Sequence, residues 1–246
     1  MKVSAVVVSH GNALELVSLI PALEPQVEEL VVIANIPGST PAGVEGLANA
    51  RPLGFAANIN LGLTRTSGEA VLVVNPDAVP EPGAVAALRD FMEAHPRCGV
   101  AGPRMLYSDG SPQPSRRRFP TVAGTLVRRT PLRRVVGQRR HLHLDEPVPE
   151  RPVQSDWMLG AFLLIRRSML EQLGGFDENF RLYGEDIDLQ YRAMKAGWER
   201  WYVPAAVVRH EHKAETDRRF LTRRTLWHWR GILRFVRNHP ERLRSL

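Results

Sequence analysis

A chain of 246 residues is long enough for one large domain with a sizeable core, and no run approaches the ~18 consecutive apolar residues of a membrane-spanning helix. The single cysteine, Cys98, excludes a disulfide framework and a cysteine-cluster metal site, and points to a reducing, cytosolic home. The net charge of +7 rests on arginine, with lysine only at Lys2, Lys195 and Lys213, and guanidinium groups suit bidentate phosphate contacts.

Residues 3–8 read as a first buried strand: the apolar stretch from Ala5 to Val8 is too short for an export signal, and Ser9-His10-Gly11-Asn12 ends it. Residues 13–20 read as a helix with Leu14, Val17 and Ile20 along one face, 30–33 as a strand, 56–66 as a helix and 70–74 as a third strand. Residues 81–95 give the clearest helix, with Val85, Leu88, Phe91 and Met92 on one face, and 100–102 a short strand. Apolar strands alternating with helices predict an α/β fold with a mostly parallel sheet covered on both faces. In such sheets the ligand crevice lies beyond the carboxyl ends of the strands.

The second half breaks this rhythm. Asp109-Gly110 marks a tight turn, and residues 115–143 read as a long basic loop with room for one helix. Regular structure returns at 157–165, followed by a short helix at 168–173 closed by Gly174-Gly175. A helix at 186–196 turns Ile187, Tyr191 and Met194 inward, residues 201–203 and 206–208 give two last strands, and a helix over about 222–238 ends the chain. Residues 116–140 contain no acid, and residues 218–244 contain only Glu241. Phosphates, a lipid diphosphate or an acidic membrane surface fit such clusters.

Four constellations carry chemistry. Asn75-Pro76-Asp77 directly follows a buried strand, where Asp77 is either a hard oxygen ligand for Mg²⁺ or Mn²⁺ or part of a turn capping the next helix. Glu185, Asp186 and Asp188 crowd a helix start, as partners of the helix dipole or as the source of a general base. His210, Glu211 and His212 emerge from a strand end, and a neutral imidazole there could complete a metal site with Asp77. Gly54-Phe55-Ala56-Ala57-Asn58-Ile59-Asn60 opens a helix with small residues, so that a ligand could approach its N-terminus.

Taken in order, these segments resemble the family 2 glycosyltransferases of the GT-A fold. The nearest likeness is to bacterial rhamnosyltransferase-type members that extend a polyprenyl-diphosphate-linked sugar. The likeness runs from about Val3 to His210. It is carried by Val6-Val7-Val8-Ser9-His10, Gly54-Phe55 with Asn60, Asn75-Pro76-Asp77, Gly102-Pro103 and Asp109-Gly110-Ser111. It continues through Arg117-Arg118-Phe119-Pro120, Gly160-Ala161, Arg166, Gly174-Gly175-Phe176-Asp177-Glu178, and Glu185-Asp186-Ile187-Asp188-Leu189 with Arg192.

The resemblance implies a Rossmann-like nucleotide-diphospho-sugar transferase fold and an inverting transfer dependent on Mg²⁺ or Mn²⁺. Asp186 would be the catalytic base, Glu185 would hold the acceptor, and Asp77 with His210 would bind the metal. Ser9, His10, Asn35, Gly54, Phe55, Asn60 and Asn75 would join Asp77 around the nucleotide sugar. Asp156, Trp157 and Gly160 are placed beside the acceptor, the indole of Trp157 serving as a stacking face or as core, and Arg116, Arg117 and Arg118 as a clamp on its diphosphate or as a solvated loop. The expected donor is deoxythymidine-diphosphate rhamnose and the expected acceptor a polyprenyl-diphosphate GlcNAc or a polysaccharide. Ala34-Asn35 stands where similar enzymes carry Asp-Asn, and Pro52 where an Asn commonly precedes Gly-Phe, which leaves the nucleotide open.

On this reading residues 1–215 form the transferase domain, with a nucleotide-sugar half at 1–104 and an acceptor half at 105–215 that carries the basic loop 112–150. Residues 216–246 form a basic amphipathic helix, in which Leu226, Trp229, Leu233 and Val236 share a face ringed by Arg223, Arg230, Arg234 and Arg237. That helix either lies on an anionic membrane, making the protein peripheral to the inner face, or packs on the domain. A nucleotidyltransferase would need a phosphate-gripping cation in the loop at 9–13, which has none. A nucleic-acid-binding protein would leave the strand-end acids unexplained, so nucleic acid is not expected as a partner. An inactive relative that binds without turnover is a third alternative.

Overall fold

The computed structural model describes residues 1–119, 143, 146–211 and 223–243, without the side chains of 223–226, 228, 229 and 243. Most of the predicted basic loop, together with His212, lies outside the described residues.

Strands β1 (Val3–Ser9), β2 (Glu29–Ala34), β3 (Leu47–Ala48) and β4 (Ala70–Val74) pair in parallel, in the order β3-β2-β1-β4. β1 and β4 are buried along their whole length, as suits Val-rich strands covered on both faces, and the only polar residues in them are Ser4 and Ser9 of β1. The sheet continues through β11 (Phe162–Arg166), β6 (Cys98–Leu106), β12 (Glu199–His210) and the short β5 (Ala78–Pro80). β11 runs antiparallel to both β4 and β6, and β5 antiparallel to β12, while β6 and β12 are parallel. β7 (Pro112–Gln113) hairpins back on β6 through the Asp109-Gly110 turn, and β9 (Val153–Gln154) pairs with β12. β8 (Arg116–Arg117) and β10 (Trp157–Met158) make a separate two-stranded ribbon.

Helices α1 (Ala13–Leu23), α2 (Phe55–Leu63) and α3 (Ala84–Ala94) cover the first half, and α4 (Arg167–Leu173) and α5 (Glu185–Lys195) follow in the second. The last helix, α6 (Arg223–Asn238), ends in a 3-10 turn over Pro240–Leu243. Arg166 donates to Met92 O, His95 O and Cys98 O at 2.7–3.2 Å, satisfying carbonyls at and just past the end of α3. Arg192 does the same for Leu173 O at the end of α4 and Gly175 O just past it, both at 2.9 Å.

Several elements differ from the sequence reading. In α1 the buried face is Leu16, Leu19 and Leu23, while Leu14 is 84% and Val17 58% exposed. The helix runs on through Pro21 to Leu23, and the heavier leucine stripe takes the core. The strand expected at 100–102 extends over nine residues, because its neighbours β11 and β12 pair along most of it. The two final strands are one, β12, whose register against β6 shifts between Val203 and Val207, around Pro204. α5 is buried on two sides: Leu189 and Ala193 join the sheet-facing core, and Tyr191 packs with Phe119 and Phe235.

α6 also differs. Gly231 and Phe235 are buried and Arg234 turns toward the domain, whereas Leu233 is 66% exposed. The face toward the domain is therefore rotated from the Leu233–Val236 face that the sequence pattern picks out.

Candidate active site

The carboxyl ends of β1, β2, β4 and β12 deliver Ser9 and His10, Asn35, Asn75 to Asp77, and His210 to one rim. Because β11 runs the other way, its entry, Gly160-Ala161, reaches the same rim. Asn75 N–H donates to Ala161 O at 2.8 Å, and Gly160 N–H donates to Asp186 Oδ2 at 3.1 Å. Two consecutive residues thus link the loop that carries Asp77 to the start of the helix that carries Asp186.

Asp77 and His210 come together through the β5–β12 pair. His210 lies opposite Ala78, and Glu211 N–H donates to Asp77 O at 3.1 Å. His210 Nε2 sits 3.4 Å from Asp77 Oδ1. The other ring nitrogen, Nδ1, faces Gln113 Oε1 at 2.8 Å, and an N–H there directs the Nε2 lone pair at the carboxylate. The 3.4 Å spacing is close to the roughly 3.0 Å expected for adjacent ligands of one six-coordinate Mg²⁺ or Mn²⁺. Among the described residues no third His, Cys, Asp or Glu completes a protein-only cage, so further ligands would be diphosphate oxygens and water, as suits these ions.

Asp186 is half-buried at the start of α5. Its two carboxylate oxygens accept from Gly160 N–H and, at 2.9 Å, from Ile187 N–H. One turn on, the Gln190 side chain is a two-way tie to β10: it accepts from Met158 N–H and donates to Met158 O, both at 2.8 Å. Gly160 is needed for this approach, since a Cβ there would lie 2.8 Å from Asp186 Cβ and 2.9 Å from Oδ2. Burial raises the Asp186 pKa, opposed by the two backbone N–H groups and by the charge of Arg117. Glu185 is buried beside it and is pushed up to about 8, first by burial and then by the Asp186 charge. Its Oε2 has no hydrogen-bond partner.

The residues expected around the nucleotide form a connected frame. Ser9 Oγ donates to Ser39 O at 2.6 Å, and Gly11 N–H to Ser39 Oγ at 3.0 Å. Asn35 is buried, donates to His10 Nδ1 at 3.0 Å and Leu53 O at 3.1 Å, and accepts from Leu53 N–H and Asn49 Nδ2. Asn49 also donates to Asn58, which donates to Gly54 O. His10 itself is exposed on the rim.

Four assignments need correction. Asn60 faces the loop after α4: its Oδ1 accepts from Phe176 N–H at 3.0 Å and its Nδ2 donates to Phe176 O at 2.9 Å, so the amide is committed to structure. The closeness that Gly54 permits is to the chain itself, a Cβ there lying 3.0 Å from Arg181 O, which also accepts from Phe55 N–H. Trp157 is 3% exposed, its Nε1 donates to Arg118 O, and the Arg117 guanidinium lies 5.2 Å from its ring centroid, so it is core and offers no stacking face to a sugar. Asp156 turns inward as well, its Oδ2 accepting from Phe119 N–H at 2.8 Å.

The three arginines are not gathered into one clamp. Side chains alternate along a strand. Arg116 and Arg118 both reach Glu146, at 2.6 and 3.0 Å, while Arg117 faces Trp157 and the Asp186 side.

Gln113, Asn49, Asn58 and Gln190 were not singled out from the sequence. Gln113 was the most accessible of them. The Asp109-Gly110 hairpin pairs it with Met105, which is opposite Val208, two residues before His210.

Known proteins resemble this chain in sequence and in fold. The family description "Glycosyltransferase like family 2" matches residues 2–228. The N-acetylglucosaminyl-diphospho-decaprenol L-rhamnosyltransferase of Mycobacterium tuberculosis is 36% identical, across 100% of this chain and 91% of its own length. Among solved structures, GalNAc-T7 with UDP, GalNAc and Mn²⁺ superposes with a TM-score of 0.68 at 16% identity, over 96% of this chain and 48% of that one. Glucosyl-3-phosphoglycerate synthase from M. tuberculosis, with Mn²⁺, UDP-glucose and phosphoglyceric acid, gives 0.61 at 17% identity, over 95% and 79%. These two show the shared fold. With a matching profile over nearly all its length and a near-full-length relative, the chain belongs to the family 2-like glycosyltransferases and has their GT-A fold.

Proposed function

We propose that the protein transfers a sugar, with inversion, from a nucleoside diphosphate donor to a hydroxyl of a polyprenyl-diphosphate-linked sugar. Deoxythymidine-diphosphate rhamnose is the proposed donor and a GlcNAc-bearing lipid diphosphate the proposed acceptor. The observation that carries the chemistry is Asp186 held over Gly160, on the same rim as the Asp77–His210 pair. The specific substrates draw support from the 36% identical relative, an N-acetylglucosaminyl-diphospho-decaprenol L-rhamnosyltransferase.

In this reading Asp186 removes the proton from the acceptor hydroxyl while that oxygen attacks the anomeric carbon. The bond to the diphosphate breaks on the opposite face. Burial strengthens Asp186 as a base, and the Gly160 and Ile187 N–H groups keep its two oxygens aimed. The orphaned Oε2 of Glu185 is a buried polar atom that an acceptor hydroxyl would satisfy. Arg117 supplies positive charge for the acceptor phosphates on the same side. Asp77 and His210 would hold Mg²⁺ or Mn²⁺, which when bound neutralises charge on the leaving diphosphate.

Asp186→Asn is expected to keep donor binding and lose transfer by ~10²–10⁴-fold, the usual worth of a general base. Asp77→Ala is expected to lose the response to Mn²⁺. Retained turnover in the first, or an unchanged metal response in the second, would remove that residue from its role.

No helix among the described residues is long and apolar enough to cross a membrane. The exposed Leu233, with Arg230 and Arg237 exposed on the same helix, supports contact of α6 with an anionic bilayer, where a lipid-linked acceptor would reside. Flotation with vesicles of anionic lipid, but not of zwitterionic lipid, is the expected result, and loss of that difference in Leu233→Asp is the control.

A further inference from the structure

The loop 174–184 delivers Asp186 to the rim, and its backbone is unusual. Gly174, Gly175 and Gly184 have positive φ, and so does Tyr183, at 70°. A bulky residue in the left-handed region persists only where its surroundings over-determine it. On one side the loop is tied to α2, through Asn60 to Phe176 and through Phe55 N–H to Arg181 O. On the other side it is tied to α6.

The ties to α6 are specific. Arg234 grips the Asp177 carboxylate with two parallel bonds, Nε to Oδ2 at 2.8 Å and Nη2 to Oδ1 at 3.1 Å, and its guanidinium lies 5.7 Å from the Phe180 ring centroid. Asn238 adds a third bond to Asp177 at 3.2 Å. Burial alone would raise Asp177, but the bonds from Arg234 and Asn179 outweigh it and hold the group at about 2. At Gly231 the helix backbone passes so close to the loop that a Cβ would lie 2.4 Å from Tyr183 O. Beyond the helix, His239 Nε2 meets the buried Asp188 Oδ1 at 2.9 Å, one turn below Glu185 on the catalytic helix.

We infer that α6 is a positioning element for the base: Arg234 through Asp177, and Gly231 through the Tyr183 backbone, fix the loop that sets Asp186 over Gly160. The inference rests on the reading of Asp186 as the base. Arg234 and Gly231 meet the loop, at Asp177 and at Tyr183 O, and act on Asp186 only through it, so they are positioning residues. The charged groups that face Asp186 are Glu185 and Arg117, and neither is altered by changing them.

The test uses the full chain in four variants, Arg234→Ala, Arg234→Lys, Gly231→Ala and Asp186→Asn, with kcat, both KM values, the pH–rate profile and thermal unfolding recorded for each. Arg234→Ala and Gly231→Ala are expected to lower kcat by about tenfold or more while the protein stays folded at the assay temperature. The acidic limb of kcat is expected to move to higher pH, because the N–H bonds that lower the Asp186 proton affinity loosen. A loss of stability alone would not move that limb. Arg234→Lys, which keeps the charge without the fork, is expected to recover part of kcat. If Arg234→Ala and Gly231→Ala keep kcat within about twofold and the limb in place, or lose activity only in step with the unfolded fraction, the inference is overturned. An inactive Asp186→Asn beside unaltered Arg234→Ala overturns it alone, whereas turnover in Asp186→Asn removes the reading of the base and this inference with it.

Discussion

Gly160→Ala is the sharpest single perturbation of the site. A Cβ at position 160 would sit 2.8 Å from Asp186 Cβ and 2.9 Å from Oδ2, whereas carbon atoms rest about 3.5–4.0 Å apart. Gly160 has an ordinary φ, so the backbone can accept alanine, and the nearest conflict is with the Asp186 side chain. Relief requires the two groups to separate by roughly 0.6–1 Å, which also stretches the Gly160 N–H bond to Oδ2 beyond its 3.1 Å. A catalytic group misplaced by about 1 Å costs on the order of 10²-fold, or about 2.7 kcal/mol of transition-state stabilisation. The assay is release of nucleoside diphosphate with saturating acceptor, set beside calorimetric binding of the donor. The expected outcome is kcat down about 10²-fold with donor Kd unchanged within a factor of about two. A kcat within twofold of the parent would refute the argument, because Asp186 would then not depend on its seat over Gly160.

Two other outcomes follow from the site. Gln113→Leu removes the acceptor for His210 Nδ1–H and should weaken the Mn²⁺ response about 10–100-fold, read as a shift of the activating metal concentration, with the nucleotide affinity in chelator unchanged. Glu185 titrates at about 8 in the folded chain against 4.5, the ordinary glutamate value, so the folded state retains a proton that the unfolded state gives up. Its contribution is whole below pH 4.5 and is lost as pH rises through 8. Glu185→Gln should therefore unfold at a Tm at least ~2–4 °C above the parent at pH 8.5, with the gap closing toward pH 5. Equal Tm values at both pH values would contradict it.

The parallel half of the fold was legible because β4 is an unbroken apolar run and β1 carries one from Ala5 to Val8, which a helix–strand alternation uses as central strands. The short β5 was not, since Ala78–Pro80 has no period of its own and exists only by pairing with β12. At the site, Asp77, His210 and Asp186 could be read because their residue types carry chemistry in themselves. Trp157 and Asn60 misled for the same reason: an indole and an amide near a cleft invite a ligand role. Burial, and partners more than a hundred positions away in the case of Asn60, decide otherwise. The three adjacent arginines look equivalent in one dimension, and only the pairing of β8 with β10 shows that they point two ways.

The reversed course of β11 has a consequence for how such a protein can change. A purely parallel sheet offers its rim only strand exits, each committed to a crossover that must climb back to the far side. β11 offers an entrance instead: the chain enters the sheet from the rim beside Asn75, and no crossover is needed for the connection that leads into it. Its length is then unconstrained by the geometry of a crossover. The connection between β8 and β9 can lengthen or shorten while β1, β2 and β4 keep their spacing. The second half is free to diversify there, and the parallel half beneath it need not move.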